Sequence, residues 1–155
     1  MSILDIIRKL VLFILCGIIY CLMEIGFRGY SHISMFILAG ICGVFFIDTP
    51  NNIYGYDLDY SIQVLISTIL CTLGEGVCGL IVNVKMGLGV WDYSKLPFTF
   101  FFGQCNLFFV FVWIFIIGFI AIFFCDAYNY YICKDNERPY YRLFGRYLFM
   151  MPKRK

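Results

Sequence analysis

The chain has 155 residues, 62% hydrophobic and 21% aromatic, with only 14% charged and a formal net charge of +2. Soluble domains run nearer half apolar and a quarter charged, so this composition excludes an ordinary soluble domain and points to one built to sit in lipid. The small net charge gives no argument for a nucleic-acid partner.

Charged and turn-forming residues divide the chain into four apolar stretches. The first runs from about Leu10 to Phe27, with an interfacial entry from Ile3. Arg8-Lys9 ahead of it imitates a secretory signal, but no small-x-small cleavage pattern follows before Glu24, and a retained segment is expected. The second stretch, Ile33 to Ile47, is short for a span and is expected to stop at Asp48-Thr49-Pro50. The third is Ile62 to Val84 and the fourth Phe98 to Phe124. A hydrocarbon core of roughly 30 Å needs about 20 helical residues, so these predict an all-α, polytopic membrane protein of about four helices, with the second marginal. Residues 1–133 form the transmembrane domain and 134–155 a cytoplasmic basic tail.

Lysine and arginine give the orientation. With four spans, the end bearing both termini holds nine of them: Arg8, Lys9, Lys134, Arg138, Arg142, Arg146, Lys153, Arg154 and Lys155. The other end holds Arg28, Lys85 and Lys95. That bias predicts cytoplasmic N- and C-termini. In the tail, Arg138, Arg142 and Arg146 recur every fourth residue, one face of a helix, with Leu143, Phe144, Tyr147, Leu148 and Met151 as apolar surface. Such a basic amphipathic segment suits the anionic leaflet of a bilayer or a partner's acidic surface; Gly145 works against the helix.

Glu75 is the most informative residue of the third stretch. A carboxylate inside a membrane-length apolar run faces a bundle interior or a wet cavity. It lies about 20 Å into the helix by helical rise, near the loop that carries Asp92. One reading makes Glu75 a proton or cation site with Asp92 as gate or second ligand. The other makes it a structural glutamate, protonated or paired with Lys85, Gln104 or Asn106. Gly74, Gly76 and Gly79 flank it, and such small residues admit a neighbouring helix or leave room for a ligand.

After it comes Trp91-Asp92-Tyr93-Ser94. Trp91 and Tyr93 suit headgroup-level anchors, while Asp92 and Ser94 suit a cap on a helix starting near Pro97. Glu24 and Arg28 stand four apart, the spacing of an ion pair on one helix face. His32 is the lone histidine, and the eight cysteines contain no C-x-x-C, so neither a histidine-based metal cluster nor a disulfide framework is indicated. No phosphate-binding Gly-x-x-x-x-Gly-Lys-Ser/Thr loop exists and no cofactor is expected. A 63-residue shift aligns Tyr30-Ser31 with Tyr93-Ser94, Gly40 with Gly103, Cys42 with Cys105 and Phe45-Phe46 with Phe108-Phe109. It suggests two hairpins in parallel repeat.

The pattern Glu75, Gly79, Trp91-Asp92-Tyr93-Ser94, Pro97-Phe98, Gly103 and Trp113 resembles the bacterial ABC-transporter permease family of type IV, CmpB-like. It is also similar to the eukaryotic transmembrane protein 229 group. Glu24 and Arg28-Gly29 fit the family's first half; Phe27 and Thr99 stand where asparagines are usual. The resemblance implies a small polytopic protein with a transport role. Four helices are few for a complete carrier, so an oligomer or a partner membrane subunit is expected, and without a phosphate loop any ATPase of an ABC system is a separate chain. The alternative is a non-catalytic structural or assembly subunit. An intramembrane enzyme lacks a nucleophile–base pair or metal cluster to work with.

Overall fold

The computed structural model describes residues 2–135 and 137–154; Lys155, counted above in the basic tail, lies outside them. Four helices are long and apolar enough to cross a membrane: α1 Ile3–Arg28, α2 Ile33–Tyr54, α3 Tyr60–Lys85 and α4 Leu107–Ile132. Short links at 29–32 and 55–59 turn α1 into α2 and α2 into α3, giving antiparallel neighbours. The longer 86–106 segment returns the chain to α4.

Local chemistry sets these ends. Ser2 and Asp5 form a reciprocal capping box at the start of α1, and Gly29, at φ 83°, ends it with its N–H on the Ile25 carbonyl. His32 caps α2 through Nδ1, which accepts from the Ser34 N–H at 3.2 Å. Asp59 caps α3 and Asn106 caps α4, each accepting an N–H two residues on.

Three boundaries differ from expectation, one being that the fourth helix runs past Phe124 to Ile132. The second helix does not stop at Asp48-Thr49-Pro50 but runs on to Tyr54. A π-helical stretch, Cys42–Asp48, comes just before the proline. The Thr49 N–H and its hydroxyl both reach back to the Val44 carbonyl, the hydroxyl at 2.7 Å. The wider turn has already changed the hydrogen-bonding register where Pro50 supplies no N–H. The fourth helix begins at Leu107 rather than Phe98. Phe98, Phe101, Phe102 and Gly103 all take positive φ, between 53° and 86°. Left-handed phenylalanines cannot continue a right-handed helix. Instead β1 (Thr99–Phe100) pairs antiparallel with β2 (Cys105–Asn106) in a small ribbon.

The tail is the larger correction. Arg138, Arg142 and Arg146 do not share a helical face. Residues Tyr140–Leu143 (β3) and Arg146–Met150 (β4) pair as an antiparallel hairpin. Its two-residue turn is Phe144-Gly145, both at positive φ (49° and 74°), the twist that joins adjacent antiparallel strands. Tyr141 is fully buried, packed edge-on against Tyr60 and Phe123. The hairpin therefore closes one end of the bundle. The proposed 63-residue repeat is matched only at its ends: Tyr30-Ser31 and Tyr93-Ser94 both lie in links and Phe45-Phe46 and Phe108-Phe109 in spanning helices, but Gly40 and Cys42 lie inside α2, whereas Gly103 is a left-handed loop residue and Cys105 lies in β2.

The outside of the bundle is apolar, and the buried face of α3 is polar. Around α3, Ile62, Leu65, Ile69, Leu73, Val77, Ile81 and Val84 face outward. Tyr60, Gln63, Ser67, Thr68, Thr72 and Glu75 are buried on its opposite face. A helix in water buries the reverse set. An exposed apolar surface this continuous suits lipid, where no water competes for it, and fits an integral membrane protein.

Candidate functional site

Glu75 is 5% exposed and receives two hydrogen bonds. Tyr93 donates its hydroxyl to Oε1 at 3.1 Å, and Trp113 donates its indole N–H to Oε2 at 2.9 Å. The carboxylate thus ties α3 to α4 and to the 86–106 segment. Both donors are neutral, and no ion pair to Glu75 exists among the described residues. Stacking fixes the two rings. Tyr20 of α1 lies over Trp113 at 5.8 Å, nearly parallel, and Phe109 lies over Tyr93 at 4.5 Å. Aromatic stacking of this kind holds a donor to one direction. Burial and the adjoining Glu75 push the Tyr93 phenol well above its ordinary range, so it stays a donor.

The 86–106 segment is braced to hold Tyr93. Trp91 is buried and its indole N–H donates to the Gln104 carbonyl at 3.0 Å. Asn83 joins both ends: its amide donates to Gln104 Oε1 at 2.8 Å, and its oxygen accepts the Val90 N–H at 2.7 Å. Asn106 donates to the Pro97 carbonyl and to the Thr99 hydroxyl. The glycines of α3 admit protein side chains rather than leaving room for a ligand. A Cβ on Gly79 would stand 2.6 Å from Gln104 Oε1, and one on Gly74 2.6 Å from the Phe46 ring.

The expected partners of Glu75 are replaced. Asp92 is exposed and spends its carboxylate locally, accepting the Ser94 N–H at 2.8 Å and the Ser94 hydroxyl at 2.9 Å. Those bonds hold its carboxyl below the usual range and shape a turn in the loop, not a cap on the distant start of α4. Gln104 is taken up by Asn83 near the end of α3, Asn106 bonds within the loop, and Lys85 is exposed. Trp91, expected as a headgroup anchor, is buried, and Tyr93, expected as another, turns its hydroxyl inward to Glu75.

Glu24 and Arg28 do meet, at 2.5 Å, and the Ser31 hydroxyl reaches the other Glu24 oxygen, also at 2.5 Å. The guanidinium approaches off its donor directions, leaving this a close ion pair rather than an aligned hydrogen bond, and it lies 4.6 Å above the Tyr30 ring. Tyr20 stands within electrostatic reach of Glu24, Arg28 and Glu75.

At the other end of the bundle, Asp126 is 2% exposed and accepts the Tyr141 hydroxyl at 2.7 Å. Asp48 is 4% exposed and accepts from Asn129 at 2.6 Å. Sequence reading overlooked both as site residues, since each sits where an apolar run ends and reads as interfacial. The tail arginines are used unequally. Arg138 donates to the Met151 carbonyl and Arg142 to the Asp57 carbonyl, whereas Arg146 is exposed beside Phe144 and Tyr147. Among the described residues no group of three or more His, Cys, Asp or Glu side chains is placed to hold a metal ion. No protein-family model, curated protein or solved structure matches the chain.

Proposed function

We propose that the protein is a membrane component of a transport process, acting as an oligomer or with a partner membrane subunit, and that Glu75 is the group in it that exchanges a proton or cation. What carries this reading is a buried carboxylate whose oxygens are both answered by neutral donors, Tyr93 and Trp113, in a bundle whose outside is apolar. Such groups inside apolar bundles mark ion and proton routes. The three side chains belong to the same sequence pattern that resembles the type IV permeases. If an ABC system is served, its ATPase is another chain. The nine-to-three excess of Lys and Arg favours cytoplasmic termini, and Arg146 with Phe144 and Tyr147 favours contact of the hairpin with an anionic bilayer.

The second reading is an assembly subunit in which Glu75 only fastens α3 to α4 and the loop, and the bridging geometry favours it. Glu75→Gln separates the two, because glutamine keeps the shape and one acceptor but does not titrate. For transport, the variant keeps the wild-type melting temperature within a few degrees and loses the cellular phenotype that the wild type complements. Full complementation by a stable Glu75→Gln protein overturns transport through Glu75. Mass measurement in mild detergent then reports whether a membrane partner or an ATPase accompanies the chain.

A further inference from the structure

The Glu75 site is one end of a longer polar face. Along α3, Ser67, Thr68 and Thr72 are buried, at 0%, 2% and 9% exposure, and none of their hydroxyls has a hydrogen-bond partner among the described residues. Serine and threonine inside a helix ordinarily turn their hydroxyl to the carbonyl four residues back, which these three do not do. Thr68 and Glu75 are seven residues apart and share one line of the helix, with Thr72 between them. Neighbouring side chains at three- and four-residue spacing stand about 5–6 Å apart, the distance one water bridges with two hydrogen bonds.

Below Ser67 the face continues with Gln63, 3% exposed, and Tyr60, 6% exposed, whose hydroxyl donates to the Gly118 carbonyl. The Tyr60 ring packs on Tyr141, which holds Asp126. Carboxylates thus stand at both ends of a face about 22 Å long.

We infer that the inner face of α3 carries a hydrated proton path from Glu75 through Thr72, Thr68 and Ser67 to Gln63 and Tyr60, with Asp126 beneath the C-terminal hairpin as the second proton-binding carboxylate. Water is the ligand, and it supplies each hydroxyl with the partner that the protein withholds. The transfer balances without a redox partner. The O–H bond of protonated Glu75 breaks as a water gains its proton, and each water or hydroxyl in line accepts one proton and passes on another. The Asp126 carboxylate ends as the acid and Glu75 as the carboxylate. Tyr20, Tyr93, Cys71, Cys78 and Cys105 are the other titratable groups around Glu75 among the described residues. Tyr56, Tyr60, Tyr141, Cys125 and Asp48 are those around Asp126.

The inference rests on Glu75 being a proton site, and its test keeps the two claims apart. The full chain is reconstituted in phosphatidylcholine–phosphatidylglycerol vesicles with a trapped pH dye, and a potassium diffusion potential drives protons inward. Wild type acidifies the lumen faster than protein-free vesicles. Thr68→Val and Glu75→Gln each cut that rate about tenfold, and Thr68→Ser, which restores a hydroxyl, recovers it. Loss in Glu75→Gln with wild-type rates in Thr68→Val and Thr72→Val overturns the path while leaving Glu75 a proton site. A wild type no faster than empty vesicles also overturns the path. Glu75 is then judged separately, by whether a carboxylic C=O infrared band absent from Glu75→Gln titrates. Thermal stability supplies an independent sign. Valine in place of a water-bridged threonine leaves the melting temperature unchanged or lower. A clear rise in Thr68→Val means the hydroxyl was dry and overturns the path.

Discussion

Glu24 and Glu75 both lie toward the end of the bundle that carries the 86–106 segment, one on α1 and one on α3, yet the protein treats them as different chemistry. Glu24 is paired with a cation on its own helix, Arg28, one turn away, with Ser31 on its second oxygen. Everything it needs comes from within eight residues. Glu75 has no cation among the described residues, and its donors come from 18 and 38 residues away. A charge answered locally by an opposite charge is settled whatever the rest of the fold does. A carboxylate answered only by a phenol and an indole depends on the packing of three elements, and it remains the group there with a proton to gain or lose.

The largest effect expected from breaking the comparison is at Trp113, which is 6% exposed, stacks with Tyr20 and satisfies Glu75. Trp113→Ala removes a large buried side chain and orphans a carboxylate oxygen. We expect roughly 3–5 kcal/mol of lost stability, the usual range for truncating a buried tryptophan. Denaturant or heat unfolding in detergent measures it. A loss under about 1 kcal/mol means that Trp113 does not hold this interface.

At the Glu24 pair the expected effect is several-fold smaller. Arg28 retains a quarter of its side-chain exposure. Partly exposed ion pairs contribute roughly 0.2–1 kcal/mol. Arg28→Gln should therefore cost no more than about 1 kcal/mol and leave any proton-linked activity intact. A loss as large as that of Trp113→Ala would show that Arg28 reaches past Glu24 into the Tyr20–Glu75 group, and the contrast drawn above would collapse.

How much of this was legible in the sequence follows the same division between local and distant. The limits of α3 could be read to within two residues at its start, since an apolar run and the Asp59 cap are both local. The Glu24–Arg28 pair was legible from spacing alone. Glu75 stood out because a charge in an apolar run is visible wherever it occurs. Its partners were not: Trp113 is reached only through the fold, and the charge of Asp92 stands out in the sequence where the phenol of Tyr93 beside it does not. The start of α4 was misread because Phe98–Phe102 is as apolar as any helix. The counter-signal was Asn106, a good cap directly before a long apolar run. In the tail, arginines every fourth residue imitate a helix. Phe144-Gly145 between aromatic-rich segments is the hairpin signal that outweighs them, because a glycine at positive φ with strands on both sides fixes a two-residue turn.

The smallest expected effect concerns how that hairpin is held. Asp59 accepts the Ser61 hydroxyl at 2.6 Å and the Gly145 N–H at 2.7 Å, so one carboxylate both caps α3 and clamps the hairpin turn. These bonds favour the ionised form and bring its pKa down to about 2 from an ordinary 3.8. The sign follows directly. A carboxylate with a depressed folded pKa contributes fully above the unfolded value and loses that contribution as pH falls through the folded value. Docking of the hairpin should therefore be constant above about pH 4 and weaken toward pH 2, by a small amount because solvent screens an exposed group. Pepsin cleavage within residues 140–150, normalised to a denatured substrate at each pH, reads this out. Protection should fall across that window in the wild type. In Asp59→Asn it should begin lower and change less with pH, since the amide accepts the Gly145 N–H without titrating while the Asp57 contacts to Tyr140 and Arg142 remain. A wild-type profile as flat as the variant's would mean that Tyr141, buried under Phe123 and bonded to Asp126, holds the hairpin without help from the clamp.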